Sequence, residues 1–239
     1  MKLTRRLFTA AAALAGGIAL AGCGGADSGA RTDFEREGDF AKGSPDAPVT
    51  MIEYASTACG GCAAFHEQVM PTLETHIRSG DLRFVMREMI TGQPNLAIAG
   101  FMLARCAPEE RYFSLIDTLF EQQRALMLAM QQGQAQSQFQ SIARAAGFSD
   151  AQFQDCMTNE DVLAQVQAAN QRAIADGINA TPTFIVNGSR LETERAPDGS
   201  GMVYAVNGRI LEDEQGPIPA LFEGDSFERI ILYFKARAE

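Results

Sequence analysis

Positive charge is scarce in this chain: 20 Lys and Arg stand against 30 Asp and Glu, a formal charge of −10 over 239 residues. Three of the positive charges, Lys2, Arg5 and Arg6, precede Cys23 and no acid does, so without that segment the charge falls to −13. Such a balance offers no electrostatic grip on nucleic acid or on anionic lipid. Histidine is nearly absent, with only His66 and His76. A metal site built on His66 and neighbouring cysteines therefore has no evident fourth ligand, and no metal is expected. Beyond the first 22 residues no apolar run is long enough to span a bilayer. Cysteine is also sparse, but its five positions are the most informative feature present.

Residues 1–22 read as a signal peptide. Lys2, Arg5 and Arg6 open it, and the apolar run from Leu7 to Ala21 is too short for a stable span and ends in small residues. Thr4-Arg5-Arg6-Leu7-Phe8 resembles the twin-arginine export motif, although Sec signals also carry paired arginines. Leu20-Ala21-Gly22-Cys23 resembles the lipobox of bacterial lipoproteins. That resemblance implies cleavage before Cys23, acylation of Cys23 and lasting membrane attachment through several acyl chains. The alternative is a soluble periplasmic protein with a chance cysteine. Either way the chain is placed on the periplasmic side of a bacterial cell envelope, where disulfides persist. Residues 23–44 read as a lipidated start followed by a polar, Gly-rich tether with a reach of about 25 Å. Phe34 and Phe40 have no evident role in it.

Cys59-Gly60-Gly61-Cys62 follows the strand-like run Val49 to Ala55 and opens a helical pattern. The first turn of a helix carries unpaired amides and the positive end of the dipole, so a thiolate is stabilised there. The apolar face continues through Phe65, Val69, Leu73 and Ile77 to a stop near Gly80, with a bend expected at Pro71. Leu82 to Met89 reads as a second strand, completing a βαβ unit. Asn95 to Gly177 reads as helix throughout, with capping-box spacing from Ser149 to Gln152. Phe184 to Val186 returns to strand, and Asn187-Gly188 favours a tight turn. Tyr204 to Glu212 echoes that strand and turn and reads as an extra β-hairpin. Asp225 to Ala236 closes as an amphipathic helix.

On these residues the chain resembles the DsbA-like thiol-disulfide oxidoreductases. The resemblance rests on the Cys-x-x-Cys after the first strand, on Phe65-His66 and Pro71 behind it, and on Ala180-Thr181-Pro182-Thr183-Phe184 before the late strand. It implies an α/β, thioredoxin-like fold over residues 45–239, with an all-helical subdomain inserted at about 92–178. Three departures stand out: Gly60-Gly61 in place of a Pro-His pair, the long stretch Ser189 to Pro217, and the lipobox.

Within this resemblance Cys59 is the exposed nucleophile and Cys62 the resolving thiol. Pro182 matches the family's cis-proline, and Thr181 before it would pair with an extended substrate. Glu53 lies mid-strand, where a carboxylate is costly unless it serves something. The family places an acid there beneath the resolving cysteine as proton acceptor, and an edge-strand acid in water is the alternative. His66 is either a modulator of thiol acidity or a solvated helix residue. Some members carry a second disulfide in the insertion, which here would join Cys106 to Cys156; two separate buried thiols are the alternative. Gly60-Gly61 supplies amides but no side-chain donor, so a milder oxidant than a Pro-His enzyme is expected.

The expected function is therefore a cofactor-free dithiol oxidase of exported proteins with free thiols. The family implies re-oxidation by a quinone-coupled, DsbB-like membrane partner. A reductase or isomerase for particular envelope clients, or a thioredoxin-like lipoprotein that carries metal, are the alternatives.

Overall fold

The structure, a computed structural model, describes residues 32–238. The signal peptide, Cys23 and the first part of the tether lie outside the described residues.

Strand β1 (Phe40–Lys42) comes first in the chain, and β2 (Val49–Ala55) forms the centre of the sheet. All seven residues of β2 are buried. It runs parallel to β3 (Leu82–Glu88), with Glu53 opposite Met86. A strand covered on both faces reads as an almost unbroken apolar run, and Val-Thr-Met-Ile-Glu-Tyr-Ala departs from that only at Thr50 and Glu53.

Helices α1 (Gly60–Gln68) and α2 (Met70–Ser79) connect β2 to β3. The expected single bent helix is in fact broken. Pro71 has no N–H for the carbonyl four residues back, and its ring crowds that turn. Helix α1 therefore ends at Gln68, Val69 takes φ −112°, and Pro71 falls in the first turn of α2, where a missing donor is harmless. Gly80, at φ +80°, ends α2 with its N–H on the carbonyls of His76 and Ile77.

The helical insertion comprises α3 (Pro94–Cys106), α4 (Tyr112–Glu121), α5 (Gln123–Gln131), α6 (Ala135–Ala145), α7 (Asp150–Met157) and α8 (Glu160–Ala175). Ser149 and Gln152 form the capping box that starts α7. A disulfide joins Cys106 at the end of α3 to Cys156 in α7, closing a separation of 50 residues. A loop of that size stabilises by about 4 kcal/mol in the chain-entropy account. Glu88 ties the insertion to the sheet. Its buried carboxylate accepts two 2.9 Å hydrogen bonds from Arg105 Nε and one of 3.0 Å from the Tyr112 hydroxyl.

After the insertion β4 (Thr183–Val186) runs antiparallel to β2, with Phe184 opposite Glu53. The sheet then grows by β5 (Ser189–Arg195), β6 (Met202–Val206) and β7 (Arg209–Ile210), giving the order β1-β3-β2-β4-β5-β6-β7. Both Asn-Gly turns lie in the left-handed region, with φ of +44° and +77° at Asn187-Gly188 and +51° and +70° at Asn207-Gly208. That geometry matches the twist of a two-residue hairpin. The extension is thus larger than the one extra hairpin expected, and a small ribbon of β8 (Glu212–Asp213) and β9 (Gly216–Pro217) follows it. Helix α9 (Gly224–Lys235) completes the chain's regular structure.

The second half of the expected tether is not free. Phe40–Lys42 pairs antiparallel with β3, and the Phe40 ring stacks on Tyr112 at 3.5 Å between centroids. Arg83 holds both oxygens of Glu35 at 3.0 Å, and Arg87 chelates Asp39. Each of these residues looks like loop on its own; the arginines that fix them lie 48 positions away on β3.

Arg105→Ala should leave the buried Glu88 carboxylate without its hydrogen-bonded cation. A loss of about 3–5 kcal/mol is expected in denaturant unfolding. A change below about 1 kcal/mol would show that the ion pair does not anchor the insertion.

Candidate active site

The loop Ser56–Ala58 delivers the chain from β2 to α1 and is held from several sides. The Ser56 hydroxyl donates to the Thr91 carbonyl at 3.0 Å, and the Cys59 N–H to the Ser56 carbonyl at 2.9 Å. Gly92, at φ +72°, lies so close that a Cβ there would stand 2.5 Å from the Ala58 carbonyl oxygen. Gln123, the first residue of α5, reaches in from the insertion. Its Nε2 donates to the carbonyls of Thr57 at 2.8 Å and Cys59 at 3.0 Å. The sequence reading missed this residue, because a glutamine in a polar stretch looks solvated. Only the apolar spacing to Leu126 and Ala129, also buried, hinted that this face turns inward.

Cys59 is the N-cap of α1, and its sulfur accepts from the Cys62 N–H at 3.3 Å. Both cysteines are free thiols, Cys59 half-buried and Cys62 fully buried. The Cys59 thiol lies 3.2 Å from the Thr181 carbonyl oxygen, to which it donates. As a thiolate it accepts instead, from the Cys62 thiol first, then from the Thr181 hydroxyl and the amides of Cys62 and Gly61. These donors outweigh partial burial and bring the Cys59 pKa down to about 6. The Thr181 hydroxyl is itself bonded to Thr91 at 2.6 Å, which leaves its proton free to face the sulfur when Thr91 donates. Cys62 moves the other way. Burial, the bond to Cys59 and the Glu53 charge push its thiol far above the ordinary range.

The Thr181–Pro182 peptide bond is cis. Pro182 faces Gly61, where an added Cβ would stand 3.1 Å from the proline Cδ and 3.8 Å from Cys59 Sγ. Gly61, which has no Cβ, thus leaves space between the proline ring and the sulfur. Phe222, just before α9, borders the same opening and packs on Phe65 and Phe184 below.

Glu53 and His66 lie inside. Glu53 is 0 % exposed on the central strand, so it is no edge-strand acid, and His66 at 8 % is no solvated helix residue. They are bonded directly, Nε2 to Oε2 at 2.9 Å. His66 Nδ1 lies 3.2 Å from Asp117 of α4. Burial alone would lower the imidazole pKa, but the charges and hydrogen bonds of Glu53 and Asp117 prevail and raise it to about 9. The imidazolium form is therefore favoured at neutral pH. Among the described residues no group of three or more His, Cys, Asp or Glu side chains is arranged to hold a metal ion.

A family model described as thioredoxin matches residues 35–203. The chain belongs to the thioredoxin family. A candidate protein-disulfide oxidoreductase of Rickettsia typhi is 27% identical over 179 residues, which cover 74% of this chain and 63% of that protein. A second, from Rickettsia conorii, is 28% identical over 159 residues, covering 64% of this chain and 54% of the other. The chain thus spans somewhat over half the length of these relatives. Among solved structures it is similar to alpha-DsbA1 of Wolbachia pipientis, with TM-score 0.65 and 22% identity over 85% of this chain and 94% of the other. BdbD of Bacillus subtilis aligns with TM-score 0.59 and 16% identity over 83% and 93%. Likeness at these identities establishes the fold: a thioredoxin sheet with a helical insertion, as in DsbA-like proteins.

In this thioredoxin-family chain the sulfurs of Cys59 and Cys62 should react very differently. Alkylation of the reduced protein is expected to modify Cys59 with a half-maximal rate near pH 6, leaving Cys62 intact. A depressed acid pKa stabilises the folded state above the unfolded value and ceases to do so as pH falls through the folded one. The reduced protein should therefore gain stability over the oxidised one as pH rises from about 6 towards 9. Half-maximal alkylation above pH 8, or comparable modification of Cys62, would contradict the geometry.

Proposed function

We propose that this protein is a thiol-disulfide oxidoreductase that transfers the Cys59–Cys62 disulfide to cysteines of exported proteins, working as a dithiol oxidase. One observation carries the reading: a half-exposed sulfur at a helix N-cap, acidified to about 6, beside a buried thiol that resists ionisation. In the reaction a substrate thiolate attacks Cys59 Sγ, the Cys59–Cys62 bond breaks, and Cys62 departs with the electron pair and takes a proton. A second substrate thiolate then attacks the sulfur joined to Cys59 and expels Cys59 as its stable thiolate. The substrate gains a disulfide and the protein is left as a dithiol. Stabilising the leaving thiolate of Cys59 favours the reduced protein, which is the bias an oxidant needs. Thr181, Pro182 and the opening beside Gly61 support an extended substrate segment lying across Cys59.

The likeness to DsbA-like folds and the relatives' names support this reading over metal transport. Re-oxidation by a quinone-coupled, DsbB-like membrane partner belongs to the same proposal. So does placement on the periplasmic side of the envelope, anchored through lipid on Cys23. The lipobox sequence Leu20 to Cys23 supports the anchor. No helix among the described residues is long and apolar enough to cross a membrane.

Cys62→Ala has no internal disulfide to donate, so oxidation of thiol proteins should be lost; offered a disulfide-bonded protein, its lone Cys59 should instead be trapped as a mixed disulfide that disappears on reduction. The wild-type couple should be more oxidising than thioredoxin's, which is about −270 mV. A potential at or below that value would overturn the oxidase direction and favour a reductase. Cys23→Ser should abolish incorporation of labelled fatty acid; retained label would place the modification elsewhere.

A further inference from the structure

Cys62 has no route to solvent of its own. It is 0 % exposed, and when a substrate thiolate expels it, its sulfur carries a charge that burial and Glu53 make costly. A proton must therefore reach it through the protein. Glu53 Oε2 is bonded to His66, while Oε1 is buried and has no hydrogen-bond partner among the described residues. A carboxylate oxygen left unpaired in the core is expensive unless it accepts a proton in turn. On the far side of the imidazole, Asp117 is 42 % exposed, against 4 % for the His66 side chain and 0 % for Glu53. The three groups thus form a line from the core to the surface, each contact within hydrogen-bond range.

The groups that face His66 can be named element by element. Glu53 comes from β2 and Asp117 from α4. The remaining walls are the uncharged rings of Phe65, Phe84 and Phe120. Lys42 of β1 lies on the Phe84 ring and is paired with Glu74. Tyr112 is committed to Glu88.

We propose that His66, held charged by Asp117, is the proton donor of a relay that serves Cys62 through Glu53 during disulfide exchange. The inference rests on the exchange reaction proposed above. When Cys62 departs as a thiolate, the His66 imidazolium gives its Nε2 proton to Glu53, and Glu53 passes a proton to the Cys62 sulfur. His66 is left neutral, with its remaining proton on Nδ1 toward Asp117, and its bare Nε2 takes up a proton from solvent before the next turnover. The solvent proton replaces the one the substrate thiol released on ionising, so charge and protons balance over the cycle. In the reverse direction, when Cys62 must ionise to attack, the same groups carry the proton outward. His66 acts through Glu53 and is a positioning and relay residue. The near-neutral pKa at which imidazole usually switches is not needed here, because the imidazolium is the resting donor.

The test uses the full oxidised chain and an aromatic thiol that is wholly ionised above pH 6, so that any pH dependence belongs to the protein. The wild-type rate should be level near neutrality and fall as pH passes about 9, where the imidazolium is lost. His66→Gln keeps a donor to Glu53 but holds no transferable charge. Its rate at pH 7 should drop by about 100-fold, the lower end of general acid–base effects, and the falling limb should vanish. Asp117→Asn should leave the fold intact and move that limb to lower pH, because one of the partners that raises His66 is gone. A folded His66→Gln protein with the wild-type rate and limb would overturn the relay. If His66→Gln does not fold, Asp117→Asn decides alone, and an unmoved limb overturns the relay. A wild-type protein that does not react with the thiol would overturn the exchange reaction itself, and the relay with it.

Discussion

The two sulfurs of one Cys-x-x-Cys are less than a helical turn apart and yet live in opposite electrostatic surroundings. Cys59 caps α1, so its sulfur meets the amides that the helix leaves unpaired, together with the thiol of Cys62. Cys62 is one turn in, out of water, and near the buried Glu53. In the proposed exchange this difference makes Cys59 the sulfur that meets a foreign thiol and Cys62 its buried partner. The contacts around the two sulfurs help to maintain that gradient.

Maintaining it requires rigid supports from separate parts of the chain. The sheet supplies Glu53 from its central strand, and the loop before β4 supplies Thr181 and Pro182. The insertion contributes Gln123, which holds two loop carbonyls, and Asp117, which holds His66. The insertion is itself fastened to the sheet by Glu88, Arg105 and Tyr112 and closed by the Cys106–Cys156 disulfide. The helical insertion thus forms part of the wall of the site.

Much of this was legible from the residues. Val49 to Ala55 announced a strand by its largely apolar character, and the Asn-Gly pairs announced turns because few residues tolerate their backbone angles. What escaped depended on partners distant in the chain. The segment around Glu35 and Asp39 looks like a polar tether until Arg83 and Arg87 are brought beside it. The break at Val69 was underestimated as a bend, since α2 restarts with Pro71 in its first turn. Gln123 and Asp117 are ordinary surface residue types, and beyond the spacing of Gln123 to Leu126 and Ala129 nothing within their own helices distinguishes them.

The sequence by itself determined the chemistry: two thiols at a helix start, an acid inside a strand, and a Thr-Pro before a late strand. It could do so because cap position and strand burial are set by neighbours within a few residues. Only the tertiary structure decided the electrostatics. The contacts from Cys59 to Thr181, from Glu53 to His66, and from His66 to Asp117 span 122, 13 and 51 residues. Hydrogen bonds and charge act over a few ångströms of space whatever the distance along the chain, so the acidity of each group is fixed only once the fold has closed around it.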